Sequence, residues 1–279
     1  MPPKLLIAGH IVKDVTADGW RPGGGVLYAA AQASRLGLDV AAVTACGADI
    51  EPQALLPGVS WHVIACEATT TFENLYDDGR RSQRLLARGQ TIDFGVAPQA
   101  WLEAPIVLLT PLFHEIDPSA VQRLASNRAV LGVAAQGWLR ELEGDRVRPA
   151  AFEIAPAWLA GDVVFVSDED VQDADSVAEW RERVPVVALT RGRGGCTVWG
   201  ESGRHDLSAA VVRERDPTGA GDVFAVAFLV RYHETRDVLD AARFASAAGA
   251  LSVRGKGFES VAGRDEIEAL LAQGQVKVA

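Results

Sequence analysis

The segment Asp216–Asp222 contains the residues whose types and order best support chemistry. It reads Asp-Pro-Thr-Gly-Ala-Gly-Asp and precedes the apolar run Val223–Val230. The small residues at 219–221 let the backbone turn sharply into a helix, whose first amides and dipole favour an anion. A carboxylate at Asp222 is suited to remove a proton from a hydroxyl while those amides hold a phosphoryl group. An aspartate that only caps a helix after a glycine-rich turn would show the same spacing, so the segment alone predicts either role.

Two weaker candidates follow from position and charge. Gln136 and Arg140 come directly after the apolar run Ala129–Ala134, and open α/β sheets bind ligands at the carboxyl ends of such strands. They are candidates for hydrogen bonds to an acceptor or a phosphate, and an ordinary loop with a solvated arginine explains them about as well. A second group consists of four arginines that would attract phosphates or form a solvated face: Arg80, Arg81, Arg84 and Arg88.

Short apolar runs that must position these residues alternate with helical patterns along the chain. The predicted strands are Lys4–Ala8, Val40–Ala45, Ile106–Leu109, Ala129–Ala134, Val163–Val166 and Val186–Leu189. The predicted helices are Gly25–Leu36, Pro118–Ala125, Ser176–Arg183, Asp222–His233, Val238–Arg254 and Asp265–Ala272. Unbroken apolar strands are typical of parallel strands covered on both faces. The alternation therefore predicts an α/β fold with a doubly wound, mostly parallel sheet and helices on both faces.

One stretch departs from this alternation. Residues 60–94 read as short strands with a turn at Asp77–Gly79 and without a helical pattern. A β excursion from an α/β core often forms a lid over the site, so we predict a small β lid here. A surface hairpin without a function is the alternative.

Composition and charge exclude several classes of protein. The chain has 279 residues, of which 48% are hydrophobic and 23% charged, an ordinary globular balance. Its net charge of −10 argues against a nucleic-acid partner. No run approaches the roughly 20 apolar residues that span a bilayer, and none resembles a signal segment, so we predict a cytoplasmic protein without a membrane partner. Three widely spaced cysteines predict reduced thiols, not a disulfide framework or a zinc site.

The segment Asp216–Asp222 also resembles the C-terminal signature of the ribokinase-like (phosphofructokinase B) family of carbohydrate kinases. Four further family blocks occur in the family's order: Asp14 after the first strand, Gly23-Gly24 with a helix ending at Arg35–Gly37, Gly47–Asp49, and Thr190–Gly195. Each block alone is weak, but together they cover nearly the whole chain. The resemblance implies one ribokinase-like kinase domain over residues 1–279, with ATP and Mg²⁺ as the phosphoryl donor and its metal.

The resemblance also implies roles for individual residues. It implies that Asp222 is the catalytic base beside an anion hole formed by Gly219, Ala220 and Gly221. Asp14 and Gly24 would hold the acceptor. The nucleotide site would be lined by Thr190, Gly192 and Gly195, with Ala245 and Ala248 of a later helix near the adenine. Asp216 and Thr218 stand where many members bind a monovalent cation such as K⁺.

Two positions depart from the family pattern. Tyr28 stands where members commonly carry asparagine, and the metal-organising Asn-x-x-Glu reads Ser-Asp-Glu-Asp at Ser167–Asp170. Asp170 can still anchor a hydrated Mg²⁺, and Asp168 or Glu169 are alternatives. Both departures, with the run Thr69–Phe72, look similar to the plant inositol kinase branch, which suggests a cyclic polyol acceptor.

These observations predict a kinase that phosphorylates a hydroxyl of a small polyol or sugar. Within kinases, a nucleoside or phosphosugar acceptor is the alternative. A catalytically silent sugar- or nucleotide-binding protein of the same fold is a second alternative, which the altered segment Ser167–Asp170 keeps open. A dinucleotide-dependent oxidoreductase is disfavoured because no GxGxxG follows the first strand. Lid strands in such folds can pair between subunits, so a homodimer is an alternative to a monomer.

Overall fold

The computed structural model describes residues 1–77, 80–125, 129–150, 158–171 and 176–278. In chain order its strands are β1 (Leu5–Ala8), β2 (Val12–Thr16), β3 (Gly19–Gly23), β4 (Val40–Cys46), β5 (Ser60–Ala65), β6 (Thr71–Asp77), β7 (Arg80–Ala87), β8 (Ile106–Leu109), β9 (Val130–Ala134), β10 (Arg140–Glu143), β11 (Arg146–Pro149), β12 (Val163–Ser167), β13 (Val186–Thr190), β14 (Cys196–Gly200) and β15 (Gly203–Leu207). Its helices are α1 (Gly25–Arg35), α2 (Pro52–Leu55), α3 (Ser119–Ala125), α4 (Ala220–Thr235), α5 (Val238–Ser252) and α6 (Arg264–Ala272). The predicted turn at Asp77–Gly79 falls partly on residues 78 and 79, which lie outside the described residues.

The main sheet has nine strands in the order β15-β14-β13-β12-β9-β8-β1-β4-β5. The seven strands β13, β12, β9, β8, β1, β4 and β5 pair in parallel, whereas β14 and β15 add an antiparallel edge. The six predicted strands all belong to the parallel part, and the predicted mostly parallel sheet is confirmed. Parallel pairing sends the carboxyl ends of these strands to one edge of the sheet, where open α/β sheets bind ligands.

Apolar side chains cover both faces of this sheet. Leu5 and Ile7 of β1 belong to the core layer shared with α1, α4 and α5, whereas Leu6 and Ala8 belong to the opposite layer with α3. Because successive strand residues point to opposite faces, an unbroken apolar strand is buried on both sides. Helix α4 is buried along Val223–Val230, between the sheet and helices α1 and α5, which fixes the position of its N-terminus.

A second sheet, with the order β10-β11-β7-β6-β2-β3, corrects the boundaries of the predicted lid. The sequence predicted a lid from residues 60–94 alone. Strand β5 instead pairs with β4 in the main sheet, while β2, β3, β10 and β11 join the hairpin β6-β7. The local pattern missed this because pairing between strands far apart in the chain depends on tertiary packing.

The predicted helices are present with small changes at their ends. Helix α4 begins at Ala220, two residues before its predicted start, which keeps Asp222 in its first turn. The predicted helix Ser176–Arg183 is a 3-10 helix over Ser176–Glu182. Among the described residues, no helix has both the length and the apolar character needed to cross a membrane.

Candidate active site

The bend before α4 presents backbone amides at the carboxyl edge of the main sheet. Gly219 is the N-cap residue of α4 and has a φ of 78°, in the left-handed region that glycine tolerates without a steric penalty. The amide of Ala220 already donates to the carbonyl of Pro217 at 3.2 Å. First-turn amides of a helix lack helical partners, so Gly219 and Gly221 have the amides best placed for an anion.

The ring of Tyr28 packs directly against this bend. A Cβ added to Gly219 would lie 2.2 Å from Cγ and Cδ1 of the Tyr28 ring, closer than any real contact. Tyr28 is 5% exposed and comes from the first turn of α1. Tyr28, which departs from the family pattern, therefore packs against the bend at Gly219.

The carboxylate of Asp222 lies against the start of α1. A Cβ added to Gly25 would be 2.5 Å from Oδ1 of Asp222 and 2.9 Å from Cβ of Thr110, which follows β8. Only glycine at position 25 leaves room for the carboxylate. The Asp222 residue as a whole is half-buried, and its carboxylate faces the start of α1.

Burial raises the pKa of Asp222 to about 7, and the nearby negative charge of Asp170 adds to this increase. The positive charge of Arg140 and a hydrogen bond with the backbone of Asp222 act in the opposite direction on this pKa. A carboxylic acid with a pKa near neutrality is suited to general-base catalysis, because it accepts a proton readily and still ionises at the working pH.

Gln136, Arg140 and Asp170, which the sequence placed separately, lie around Asp222. Nε2 of Gln136 donates to Oδ1 of Asp170 at 2.9 Å, and the backbone N–H of Ser167 donates to Oδ2 at 3.3 Å. Arg140 is 9% exposed and donates from Nη1 to the carbonyl of Leu112 at 3.1 Å. Arg140 is thus a buried cation beside the candidate base, and Gln136 contacts the candidate metal anchor.

Asp14 and Gly24 lie at the neighbouring junction between the two sheets. A Cβ added to Gly23 would be 2.1 Å from Oδ2 of Asp14, and one added to Gly24 would be 2.2 Å from the carbonyl oxygen of His10. Gly24 is the N-cap of α1 with a φ of 101°. The two glycines therefore allow the start of α1 to approach both Asp14 and the loop between β1 and β2 at His10.

The residues predicted to line the donor site lie on the bend after β13 and on helix α5. Thr190 ends β13, and the bend Gly192–Gly195 follows it, closed by a bond from the N–H of Arg191 to the carbonyl of Gly195 at 2.8 Å. Ala245 and Ala248 of α5 have no exposed surface and belong to the hydrophobic core. Direct contact of these two alanines with an adenine would require their neighbours to move, because the core is closely packed.

The groups predicted to hold cations are ordered by hydrogen bonds. Oδ1 of Asp216 accepts from the N–H of Thr218 at 3.0 Å, and its Oδ2 accepts from the N–H of Gly257 at 3.4 Å. Asp170 is oriented by two donors, and a carboxylate has lone pairs beyond the two used there. Asp170 therefore fits a hydrated Mg²⁺, whereas the described residues contain no cluster of three or more His, Cys, Asp or Glu that would hold a metal alone.

The sequence analysis did not single out two polar residues that connect to Asp14. Asn74 of β6 donates from Nδ2 to Oδ1 of Asp14 at 3.3 Å, and Gln83 of β7 donates from Nε2 to Oδ1 of Asn74 at 2.8 Å. They lie inside the predicted lid, but no motif marks them.

Comparison with known proteins agrees with the resemblance found in the sequence. Residues 157–262 match the description of the pfkB family carbohydrate kinases. This region contains the bend, Asp222, Asp170 and the Thr190 turn. The predicted family resemblance is thereby confirmed.

The similar proteins include kinases named for different acceptors. The chain is 28% identical to inositol 3-kinase of Oryza sativa subsp. japonica, over 89% of this chain and 68% of that protein. It is 25% identical to cytidine kinase of Thermococcus kodakarensis, over 86% of this chain and 92% of that protein. A match to probable fructokinase-4 of Arabidopsis thaliana, at 29% identity, spans 43% of this chain and only 42% of that protein.

Solved structures share the fold at lower identity. One is a pyrophosphate-dependent kinase in the ribokinase family complexed with a pyrophosphate analogue and myo-inositol. Its TM-score is 0.80 with 24% identity, and the match covers 95% of this chain and 99% of that one. The predicted ribokinase-like fold is confirmed by this similarity.

Proposed function

We propose that this chain is a kinase of the ribokinase-like (pfkB) family and transfers the γ-phosphoryl group of ATP to a hydroxyl of a small polyol or sugar. The observation that carries the proposal is the position of Asp222, on the first turn of α4 and against Gly25 at the start of α1. A base between an anion-binding bend and a polar acceptor side is what phosphoryl transfer to an alcohol requires. We further propose that residues 1–279 act as one cytoplasmic kinase domain, with the second sheet as its lid.

In this mechanism, ionised Asp222 accepts the proton of the acceptor hydroxyl while that oxygen attacks the γ-phosphorus. The bond between the γ-phosphorus and the bridging oxygen breaks, and ADP leaves with the electron pair. The amides of Gly219 and Gly221 hold the transferring oxygens, and the buried cation Arg140 stabilises negative charge near them. Asp14 binds other hydroxyls of the acceptor, which brings one hydroxyl to Asp222.

The proposed cation sites would assist phosphoryl transfer, while Asp222 remains the base. Magnesium bound with the donor would neutralise charge on the phosphates, and we propose that Asp170 would hold the hydrated ion. The hydrogen bonds from Gln136 and Ser167 orient that carboxylate, as supporting groups do at metal sites. We propose Asp216 and Thr218 as the site of a monovalent cation such as K⁺.

Pyrophosphate is a second candidate donor. The bend that would bind phosphate is intact, whereas Ala245 and Ala248, predicted to lie near the adenine, are fully buried. One solved structure of similar fold comes from a kinase that is pyrophosphate-dependent. Pyrophosphate therefore belongs beside ATP among the donors that we test.

A panel of donors and acceptors tests the proposed function. ATP, GTP and pyrophosphate are each combined with myo-inositol, monosaccharides, phosphosugars and nucleosides, with Mg²⁺ and with or without K⁺. Products are identified by ³¹P NMR, because assays of ADP release do not detect transfer from pyrophosphate. We expect a phosphate monoester of a cyclic polyol or monosaccharide with ATP as the donor.

Other outcomes of the panel identify the alternatives. Turnover with nucleosides alone would replace the polyol acceptor by a nucleoside, a class that the cytidine kinase relative represents. Stabilisation by ligands without phosphoryl transfer from any donor would instead indicate a silent binding protein.

The pH dependence of kcat/KM gives a second test. Because the base must be ionised, activity should rise with pH along a limb with an apparent pKa near the value of about 7 for Asp222 in the free enzyme. Asp170→Asn removes a negative neighbour that raises this pKa, so the limb should move to lower pH even though overall activity falls. Arg140→Gln removes the positive neighbour and should move it to higher pH.

Asp265→Asn is the matched control for these two variants, since Asp265 is an exposed acid in the first turn of α6. It should leave the limb in place. A limb that stays unmoved in both Asp170→Asn and Arg140→Gln would contradict Asp222 as the titrating base.

A further inference from the structure

A row of three polar side chains crosses neighbouring strands of the second sheet. Asp14 on β2, Asn74 on β6 and Gln83 on β7 occupy one face, because Asp14 pairs in register with Phe72 and Asn74 pairs with Gln83. The face is shared with the apolar cluster of Val12 and Phe72, which packs on Phe113. The row therefore lies on the inner face of the sheet, at the junction where Asp14 meets the start of α1.

The hydrogen bonds along this row have a fixed direction. An ionised Asp14 only accepts, so Asn74 must turn its NH₂ group towards Asp14. That orientation turns Oδ1 of Asn74 towards Gln83, which must then present its own NH₂ group, as it does at 2.8 Å. The charge of Asp14 thus determines the orientation of two amides on successive strands.

We propose that Asn74 and Gln83 are positioning residues that hold the Asp14 carboxylate in one orientation and thereby select the acceptor hydroxyl that reaches Asp222. This inference rests on the proposed function, in which Asp14 binds the acceptor. A carboxylate fixed on one side by an amide presents its remaining lone pairs in fixed directions. It then distinguishes pairs of hydroxyls by their geometry, as a freely rotating carboxylate would not.

The row also indicates the class of acceptor. Neighbouring strands lie about 4.8 Å apart, so the row from Asp14 to Gln83 extends roughly 10 Å. A compact ring with adjacent hydroxyls matches the Asp14 end of this row, and an alcohol with a single hydroxyl does not use it. We therefore infer that Asp14, held in one orientation by Asn74 and Gln83, recognises an acceptor with adjacent hydroxyls.

Two substitutions at Gln83 separate hydrogen-bond direction from packing. Gln83→Glu keeps the shape of the side chain, but an ionised glutamate only accepts hydrogen bonds. Asn74 then lies between two carboxylates, so its Oδ1 must face one of them in either orientation and one hydrogen bond of the row is lost. Gln83→Met keeps the length without any polar group, and Asn74 can retain its orientation. We expect Gln83→Glu to weaken acceptor binding by about tenfold, a loss of the size that one mismatched hydrogen bond causes, and Gln83→Met to weaken it much less.

Acceptor Kd is measured by calorimetry with myo-inositol and with the best acceptor of the panel, and KM and kcat are measured in parallel. The donor KM should stay unchanged, and acceptor KM should change more than kcat. NMR of the product should show a mixture of phosphorylated positions for Asn74→Leu, which removes the row's central amide.

Glu73→Gln is the matched control, because Glu73 lies beside Asn74 on the same strand and contacts Arg84 at 2.9 Å on the other face. It should leave acceptor Kd and product unchanged. Equal effects of Gln83→Glu and Gln83→Met, or an unaltered product from Asn74→Leu, would overturn the proposed row. Acceptor binding that follows the predicted pattern without phosphoryl transfer would overturn the proposed kinase function alone, and a chain that binds no member of the panel would overturn both.

Discussion

Replacing Asp222 by asparagine is expected to lower kcat by about 10²–10⁴-fold, the range that general-base catalysis supplies. Asparagine has nearly the same size, so it fits the space against Gly25, but its amide does not accept the proton of an alcohol. Donor and acceptor binding should persist, because the amides of the bend and Asp14 are unchanged. Steady-state kinetics with the pair identified in the panel, together with acceptor Kd, checks this separation.

The same substitution should make the protein more stable above neutral pH. The pKa of Asp222 is raised to about 7 in the folded protein from an ordinary value of 3.8, so the folded state favours the uncharged acid. Ionisation therefore costs stability progressively as pH rises from about 4 to 7, and the full cost applies above 7. Asparagine avoids this cost, so Asp222→Asn should raise Tm relative to the wild type at pH 8, and the gap should shrink towards pH 4.

The combination of lost turnover and gained stability distinguishes a base from a structural residue. Asp265→Asn, the exposed first-turn acid on α6, should change neither kcat nor the pH dependence of Tm. Retained turnover in Asp222→Asn would contradict its role as the base. A lower Tm at pH 8 would instead indicate that the ionised carboxylate holds the fold together.

Local sequence patterns were sufficient to predict the parallel core of the main sheet and the bend before α4. The strands around β1 are apolar on both faces, and α4 follows a glycine-rich segment, so each element could be predicted from nearby residues alone. Asp222 and Gly219 then lie close together because they are three residues apart. The family resemblance added their chemistry.

Residues brought together by tertiary packing could not be predicted in the same way. Asn74 and Gln83 reach Asp14 only because β6 pairs with β2, a contact between strands about 60 residues apart in the chain. The second sheet extended beyond residues 60–94 for the same reason. Ala245 and Ala248 were placed by resemblance, and their burial in the core depends on how α5 packs, which the sequence pattern does not specify.

The largest structural effect at the site is expected from Gly219→Ala. A residue with a side chain in the left-handed region costs roughly 1–2 kcal/mol. The new Cβ would also lie 2.2 Å from the Tyr28 ring, so either the ring or the bend must move. We expect Tm to fall by several degrees and kcat to fall by about 10²-fold, since displaced amides no longer align with the transferring oxygens.

Gly221→Ala is the matched stability control. A Cβ added to Gly221 meets no atom within 4 Å, and alanine in a helix is more stable than glycine by roughly 0.5–1 kcal/mol. Its Tm should therefore stay level or rise. Similar losses of Tm in Gly219→Ala and Gly221→Ala would contradict the account of the bend.

Tyr28→Ala then separates the two causes of the Tm loss in Gly219→Ala, which are the contact with the ring and the strain of the backbone. In the double variant the ring is absent, so the steric part disappears while the backbone part remains, and the Tm loss attributable to residue 219 should become smaller. Additive losses in this double-mutant cycle would show that Tyr28 does not press on the bend. The double variant would also recover part of the kcat lost in Gly219→Ala if Tyr28 sets the geometry of the anion-binding amides. Tyr28 would then have this role at a position where the family commonly has asparagine. The ring would then be part of the reason that the bend tolerates no residue but glycine.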